Sequence, residues 1–499
     1  MGSIKHILLL ALLLLASCQQ QAVEPGVLRV GLAQLPMSLD PRFATDAASH
    51  KIQALVHRGL VRLDDGFCPQ PDVAKSWEHP DALTWLFHLQ SNVYFYDGRR
   101  VTAADAKATL QGILNIDLAS PLRAGFSSID SIEAVDVHTL RIILIKPDSS
   151  ILTRLSLGIV PERLANQPHQ ARAMMGCGYF QVQSWQGNDL RLQRIKTNPE
   201  SNIHSIVFTR VKDAVTRSLK LVRGEIDFAQ NDLPAGLLPY LKKQPNLQIQ
   251  TRPSTTFSYI GLNMQDKMLK DLRVRRALAL AVDRKRLKKA LFSDLPELAE
   301  TVLAPSHWAT ASLALTAFDA RQAELLLDEA GFKRGVNGIR FELNYRTSTD
   351  PARLRLATAI ADMWQQIGVH VTIESLEWGG FYARIKRGDF QVFSLSWVGI
   401  VDPDIYRWIL HTQMWPPKGA NRGRYSNAEV DHWLEAAAQS EDMQQRQQLY
   451  AKIQHQMQDD QVYIPLWYEP VIAVSSKRVQ GFKPAADGGF LGLLKTNIR

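Results

Sequence analysis

The sequence predicts an α/β fold of open, partly parallel sheets, and three of its features predict it. Short β-like runs bounded by Pro, Gly, Asn and Asp alternate with helical patterns along the chain. Residues 341–374 carry a strand, a helix and a second strand in succession, the pattern of a βαβ unit. The run 390–396 is uncharged, with Phe390, Val392, Phe393 and Leu395 among its seven residues, and reads as a strand covered on both faces. With 499 residues, 45% of them hydrophobic and 21% charged, the chain has an ordinary globular composition and room for two or three domain-sized cores.

The elements follow in order. Residues 4–16 place one Lys and one His before an unbroken apolar run, too short to span a bilayer but of signal-peptide length. The run ends in Leu15-Ala16-Ser17-Cys18 and Gln19-Gln20-Gln21, which resembles the bacterial lipobox, where cleavage falls before the Cys and its thiol carries lipid. Acyl chains on Cys18 would then replace the lost segment as an anchor, each buried CH₂ contributing roughly 0.8 kcal/mol. The expected mature chain lies outside the cytoplasm, tethered by its first residue. An ordinary signal peptide with a chance Cys and a retained membrane helix are the alternatives.

The net charge of +9, reduced by one when Lys5 leaves, is a mild bias. No run of five like charges occurs, and Arg284-Lys285-Arg286 with Lys288-Lys289 falls in an amphipathic helical pattern. This reads as a solvated basic face, and nucleic acid is not an expected partner. Beyond Cys18, Cys68 and Cys177 are either a disulfide or two buried thiols; connectivity is not legible from sequence.

Strands are expected at 28–33, 85–89, 140–145, 179–185 and 205–211. Helices are expected at 48–60, opening near Ser49, and at 102–115, where Thr102 and Asp105 stand in capping-box positions. Asp319 with Gln322 opens another; Ala323, Leu326, Leu327 and Ala330 share its face, and Gly331 ends it. In the βαβ stretch, 341–345 reads as strand, 346–351 as a polar loop and 353–367 as helix. Gly368 stops that helix, and Val369, Val371 and Ile373 alternate as the next strand.

Topology then points to a site. In open α/β sheets ligands bind outside the carboxyl ends of the strands. Residues 346–349 and 397–404 each follow such an end, so parallel strands would put both on one sheet edge. Arg346 would supply an anion partner, Trp397 an apolar plate, and Asp402 and Asp404 two cation partners on one cleft wall. The plainer alternative is that Asp402-Pro403-Asp404 is only a turn and helix cap.

Several motifs now line up. Leu39-Asp40-Pro41 with Ala44-Thr45-Asp46, residues 71–77 (PDVAKSW), 84–89 (TWLFHL), 93–98 (VYFYDG), 101–105 (VTAAD), 176–179 (GCGY), 271–278 (DLRVRRAL) with 281–284 (AVDR), and Glu329-Ala330-Gly331 occur in one order. From about residue 28 to the C-terminus this resembles extracellular solute-binding protein family 5, the peptide and nickel group of ABC importers. The resemblance implies a two-lobed periplasmic-binding-protein fold of type II, in its large cluster C form, with a hinge crossed twice. It implies lobe I at 28–258 with an inserted subdomain at about 60–190, lobe II at 259–474 and a return segment at 475–499. Residues 1–17 and 18–27 fall to the signal peptide and an anchored linker.

By the same resemblance, ligand contacts are expected around Thr45 and Asp46, at Arg346 and Ser348, and at Trp397 and Gly399; under peptide capture, Trp378, Trp397 and Tyr345 would line side-chain pockets. In that reading Asp402 or Asp404 would serve the ligand's amine, and Arg346, with Arg422 or Arg424, its carboxylate. Seven of the eleven Trp lie between 364 and 467, which suits a cleft wall and equally a helical core. One departure matters: dipeptide-binding members carry an Asp three residues after the Trp, where this chain has Ile400. Residues 176–179 also depart from the family's usual pattern. The expected function is capture of a small peptide by a monomeric, lipid-anchored binding protein that serves ABC permease subunits, without a cofactor. The alternative keeps the fold and binds a nickel chelate, an opine-like conjugate or an oligosaccharide; His411 is the residue to watch for metal. Enzyme motifs of the His-Glu-x-x-His, Gly-x-Ser-x-Gly and Gly-x-x-x-x-Gly-Lys kinds do not occur.

Overall fold

The structure is a computed structural model that describes residues 24–172, 175–195, 199–440 and 442–499. The expected signal peptide, Cys18 and the polar residues after it lie outside the described residues. An eleven-stranded mixed sheet runs through the molecule. One end is built from Val27–Leu32, parallel to Ser205–Arg210 and to Phe228–Gln230, with the hairpin Phe180–Gln186 and Asp189–Arg194 at the edge. The other end is Val392–Trp397, Phe341–Ser348 and Val369–Leu376, in that order outward.

Two long antiparallel strands, Leu247–Leu262 and Tyr463–Ser476, join the ends. Their first register pairs Pro253 with Pro470, then shifts, resuming at Phe257 opposite Tyr468. Proline has no N–H to give a ladder, so the pairing of the two long strands is interrupted at this point.

Separate cores lie on the two sides of that break. Leu28, Val30, Phe180, Phe208 and Phe228 pack with Phe482, Phe490 and Leu493, so the C-terminal segment closes onto the first lobe. A four-stranded antiparallel sheet in the order Ala74–Asp81, Thr84–Leu89, Thr139–Leu144, Ile129–Ala134 forms an additional unit with the helix Ala103–Leu114. Asp105 accepts from the Thr102 N–H at 2.9 Å and from its hydroxyl at 2.8 Å, fixing that helix start. Gly176 is needed there because a Cβ would strike the Val56 carbonyl.

The second lobe's sheet is covered on both faces, as the run at 390–396 predicts. Ile260, Leu343, Tyr345 and Val392 face the helices Leu272–Leu280 and Pro351–Gln366. Tyr259, Phe393 and Leu395 face Trp378–Arg387, Ala428–Gln439 and Met443–Asp459. The predicted βαβ unit is present, its strands parallel from Phe341 opposite Val369 to Ser348 opposite Leu376. The helix near residue 48 begins at Ala47, one residue earlier than expected, because Asp46 accepts from the Ser49 N–H at 2.9 Å. Cys68 and Cys177 are free thiols, and burial pushes the Cys177 thiol up to about 12.

Candidate ligand-binding site

The strand Phe341–Ser348 is also parallel to Val392–Trp397, with Tyr345 opposite Val392 and Arg346 opposite Phe393. The carboxyl ends of both strands therefore share one edge of the sheet, and the loop 398–404 leaves from it toward the first lobe.

Arg346 does not stand free in a loop at that edge. The strand continues to Ser348, and Arg346 lies in register with Glu374. Its Nε sits 3.2 Å from Glu374 and its Nη1 donates to Asp389 at 3.0 Å, while Arg384 holds the other Glu374 oxygen at 2.7 Å. Two carboxylates thus already meet its charge. Tyr345 is likewise a core residue, with no exposed surface and its ring 6.1 Å from Trp364. Ser348 is buried, its hydroxyl accepting from the Asp350 N–H.

Trp397 ends its strand half-buried and stacks on Tyr259 with centroids 6.1 Å apart and planes 6° apart. The Arg422 guanidinium lies 4.3 Å from the Trp397 centroid, a cation–π distance. It donates to the Tyr259 hydroxyl at 3.1 Å and the Tyr382 hydroxyl at 3.0 Å. Tyr382 in turn stacks on Trp378, which is exposed at the first turn of Trp378–Arg387. Burial raises the phenol pKa values of Tyr259 and Tyr463, so both remain neutral beside the cation. Rings and one arginine thus make a continuous wall at the sheet edge.

Beyond Trp397 the loop turns at Gly399, whose φ of +70° favours glycine, and the Ile400 N–H donates to the Thr255 carbonyl at 3.1 Å. The Thr255 N–H donates to the Ala486 carbonyl at 2.9 Å. The loop, the connecting strand and the C-terminal segment of the first lobe therefore meet at one residue. Asp402 reaches further: its Oδ1 accepts from the Ser150 hydroxyl of the first lobe at 2.8 Å and from the Asp404 N–H at 2.8 Å. Asp402 thus caps the following turn, and the same carboxylate bonds to the opposite lobe. Burial, then the charges of Asp402 and of Asp148 from the first lobe, push Asp404 up to about 7 against Arg407 and Arg154. A second bridge lies nearby: the Trp308 N–H donates to the Gly66 carbonyl at 2.9 Å, and Phe67 stacks on His307.

The other expected residues lie apart from this wall or serve the fold. Asp46 caps its helix and Thr45 beside it is exposed. Arg424 donates to the Arg387 carbonyl at 2.9 Å at the far end of the helix Trp378–Arg387. His411 is buried between Asp431 and Glu435, at 3.7 and 3.3 Å, and among the described residues no group of three or more such side chains could hold a metal. Sequence reasoning missed Tyr259, Tyr382, Thr255 and Ser150. The spacing of four between Trp378 and Tyr382 on a helix was a usable signal; Ser150 carried none, because its role depends on a contact 252 residues away.

Two lobes joined by two strands, with a polar and aromatic wall facing the join, define a solute-binding protein. The chain matches the family described as bacterial extracellular solute-binding proteins, family 5 (middle part), over residues 69–414, and it belongs to that family. Its members are binding proteins and not enzymes. It is 28% identical over 469 residues to the periplasmic oligopeptide-binding protein OppA of Salmonella typhimurium, covering 86% of this chain and 85% of that one. It is 26% identical over 501 residues to a dipeptide-binding protein of Pseudomonas aeruginosa, covering 92% and 93%. The structure of HbpA2 from Haemophilus parasuis superposes with a TM-score of 0.85 at 25% identity, covering 95% of this chain and 100% of that one.

Proposed function

We propose that this chain captures small peptides between its lobes and hands them to ABC permease subunits as a monomer. The observation that carries the reading is the loop 397–404, which begins at the Trp397 wall and brings Asp402 of the second lobe to Ser150 of the first. Relatives with peptide- and dipeptide-binding names over nearly the whole chain support the same class of ligand. Ile400 is buried and apolar at the position of the family's amine-binding Asp, so Asp402 is the carboxylate assigned to the ligand's ammonium. Backbone groups along the connecting strand bind the ligand's main chain, and Trp378 and Trp397 flank its side chains. The lobes are assigned to 28–258 with 475–499 and to 259–474, and the register shift between Pro253 and Phe257 lies beside that boundary and supports a hinge there.

Among the described residues no helix is long and apolar enough to cross a membrane. Membrane attachment is assigned to lipid on Cys18. Radiolabelled palmitate should enter the wild-type protein and not Cys18→Ala; labelling of both would contradict the anchor. For the ligand, the protein is unfolded to strip endogenous solute, refolded, and titrated by calorimetry with pools of di-, tri- and longer peptides. Saturable heat with at least one pool is expected. No heat with any pool, beside tight binding of a sugar or a nickel chelate, would overturn the peptide reading.

A further inference from the structure

We infer that Arg422, in place of Arg346, is the seat for the ligand's carboxylate, so the site selects solutes whose anionic group lies beside a flat or apolar group. The inference rests on peptide capture and adds the specificity-determining residue. Arg422 is buried, with 8% of its surface exposed. Among the described residues no carboxylate lies within ion-pair reach of it; its acceptors are the hydroxyls of Tyr259 and Tyr382. Phenols held neutral by burial do not cancel a charge, and ring faces offset only part of the cost of taking a guanidinium out of water. The buried Arg275 differs: it also has no carboxylate partner, but carbonyl oxygens of Leu269 and Asp460 take its N–H groups at 2.9 and 2.6 Å.

Arg422 therefore carries a positive potential with no complementary carboxylate in reach among the described residues. Its guanidinium lies under Trp397, the residue at the sheet edge, and Tyr382 links it to the exposed Trp378. A carboxylate arriving at that edge would meet a guanidinium whose planar fork is already oriented by two hydroxyls. The neighbouring rings would take the side chain next to it.

The test compares two probes: a pool of dipeptides with free C-termini and the same pool amidated. Wild-type protein is expected to bind the free acids roughly 10- to 100-fold more tightly, the range of a charge-assisted contact. Arg422→Gln should lose that preference while still binding the amides, and Arg422→Lys should keep part of it; thermal melts of each variant check folding. Arg346→Gln should keep the full preference. Wild-type protein that binds acids and amides equally would overturn the anchor and leave peptide capture standing, as would a preference unchanged in Arg422→Gln. Wild-type protein that binds neither pool would overturn both.

Discussion

Arg346 and Arg422 lie on the same face of the same sheet, and their surroundings differ in one respect. Arg346 sits among acids, with Glu374 and Asp389 on it and Arg384 completing the network. Arg422 sits among rings, with hydroxyls for acceptors and no acid in reach among the described residues. An arginine in the expected place is therefore not by itself a free charge. Availability is decided by partners from other strands and helices, here Glu374 across the ladder and Asp389 after the helix Trp378–Arg387.

The first way to break this contrast is to remove the ring that covers Arg422 at the end of its strand. Trp397→Ala should weaken peptide binding about 30-fold or more, as loss of a central aromatic anchor does; calorimetry measures it, and a loss under threefold would put the wall elsewhere. Next in size, Asp402→Ala should cost about 10-fold, by removing the acid assigned to the ammonium together with the Ser150 bond. Ser150→Ala separates the two: it loses only the lobe-to-lobe bond, so its effect should be smaller and the same for peptides with free and blocked amines.

The third test uses pH. Asp404 has a folded pKa of about 7, raised from the ordinary value of 3.8. Between those values the folded state holds a proton that the unfolded chain has lost. Its contribution to stability is therefore most favourable below about pH 4 and lost by the time pH has risen through about 7. Melting curves of Asp404→Asn and wild type should coincide near pH 4 and separate by pH 8, with the variant more stable by on the order of 1–3 kcal/mol. A constant offset would contradict the assignment. The smallest effect is expected at Arg346→Gln: about 1–2 kcal/mol of stability lost, from two carboxylates left beside Arg384 alone, and peptide affinity changed less than threefold.

Much of this was legible in the sequence, where periodicity and capping residues act over a few positions. The βαβ unit, the Thr102–Asp105 start and the doubly covered strand before Trp397 all follow from local pattern. The shared edge for 346–349 and 397–404 followed from the rule for parallel strands. What was not legible depends on partners far apart in the chain. Arg346 read as a loop cation because its acids come from positions 374 and 389, and Tyr345 read as a cleft residue because nothing local tells which face of a strand is core. The cage around Arg422 gathers residues from 259, 382, 397 and 463, and no local window contains two of them. The interruption at Pro253 and Pro470 needed the register of two strands far apart in the chain.

Small-angle X-ray scattering with and without a saturating peptide pool tests most directly whether the wall of Trp397, Arg422 and Asp402 faces a cleft that shuts on a guest. The radius of gyration should fall on adding peptide, and the contraction should vanish in Trp397→Ala at the same peptide concentration. A radius unchanged by a peptide that calorimetry shows to be bound would place binding outside the interlobe cleft and contradict the account.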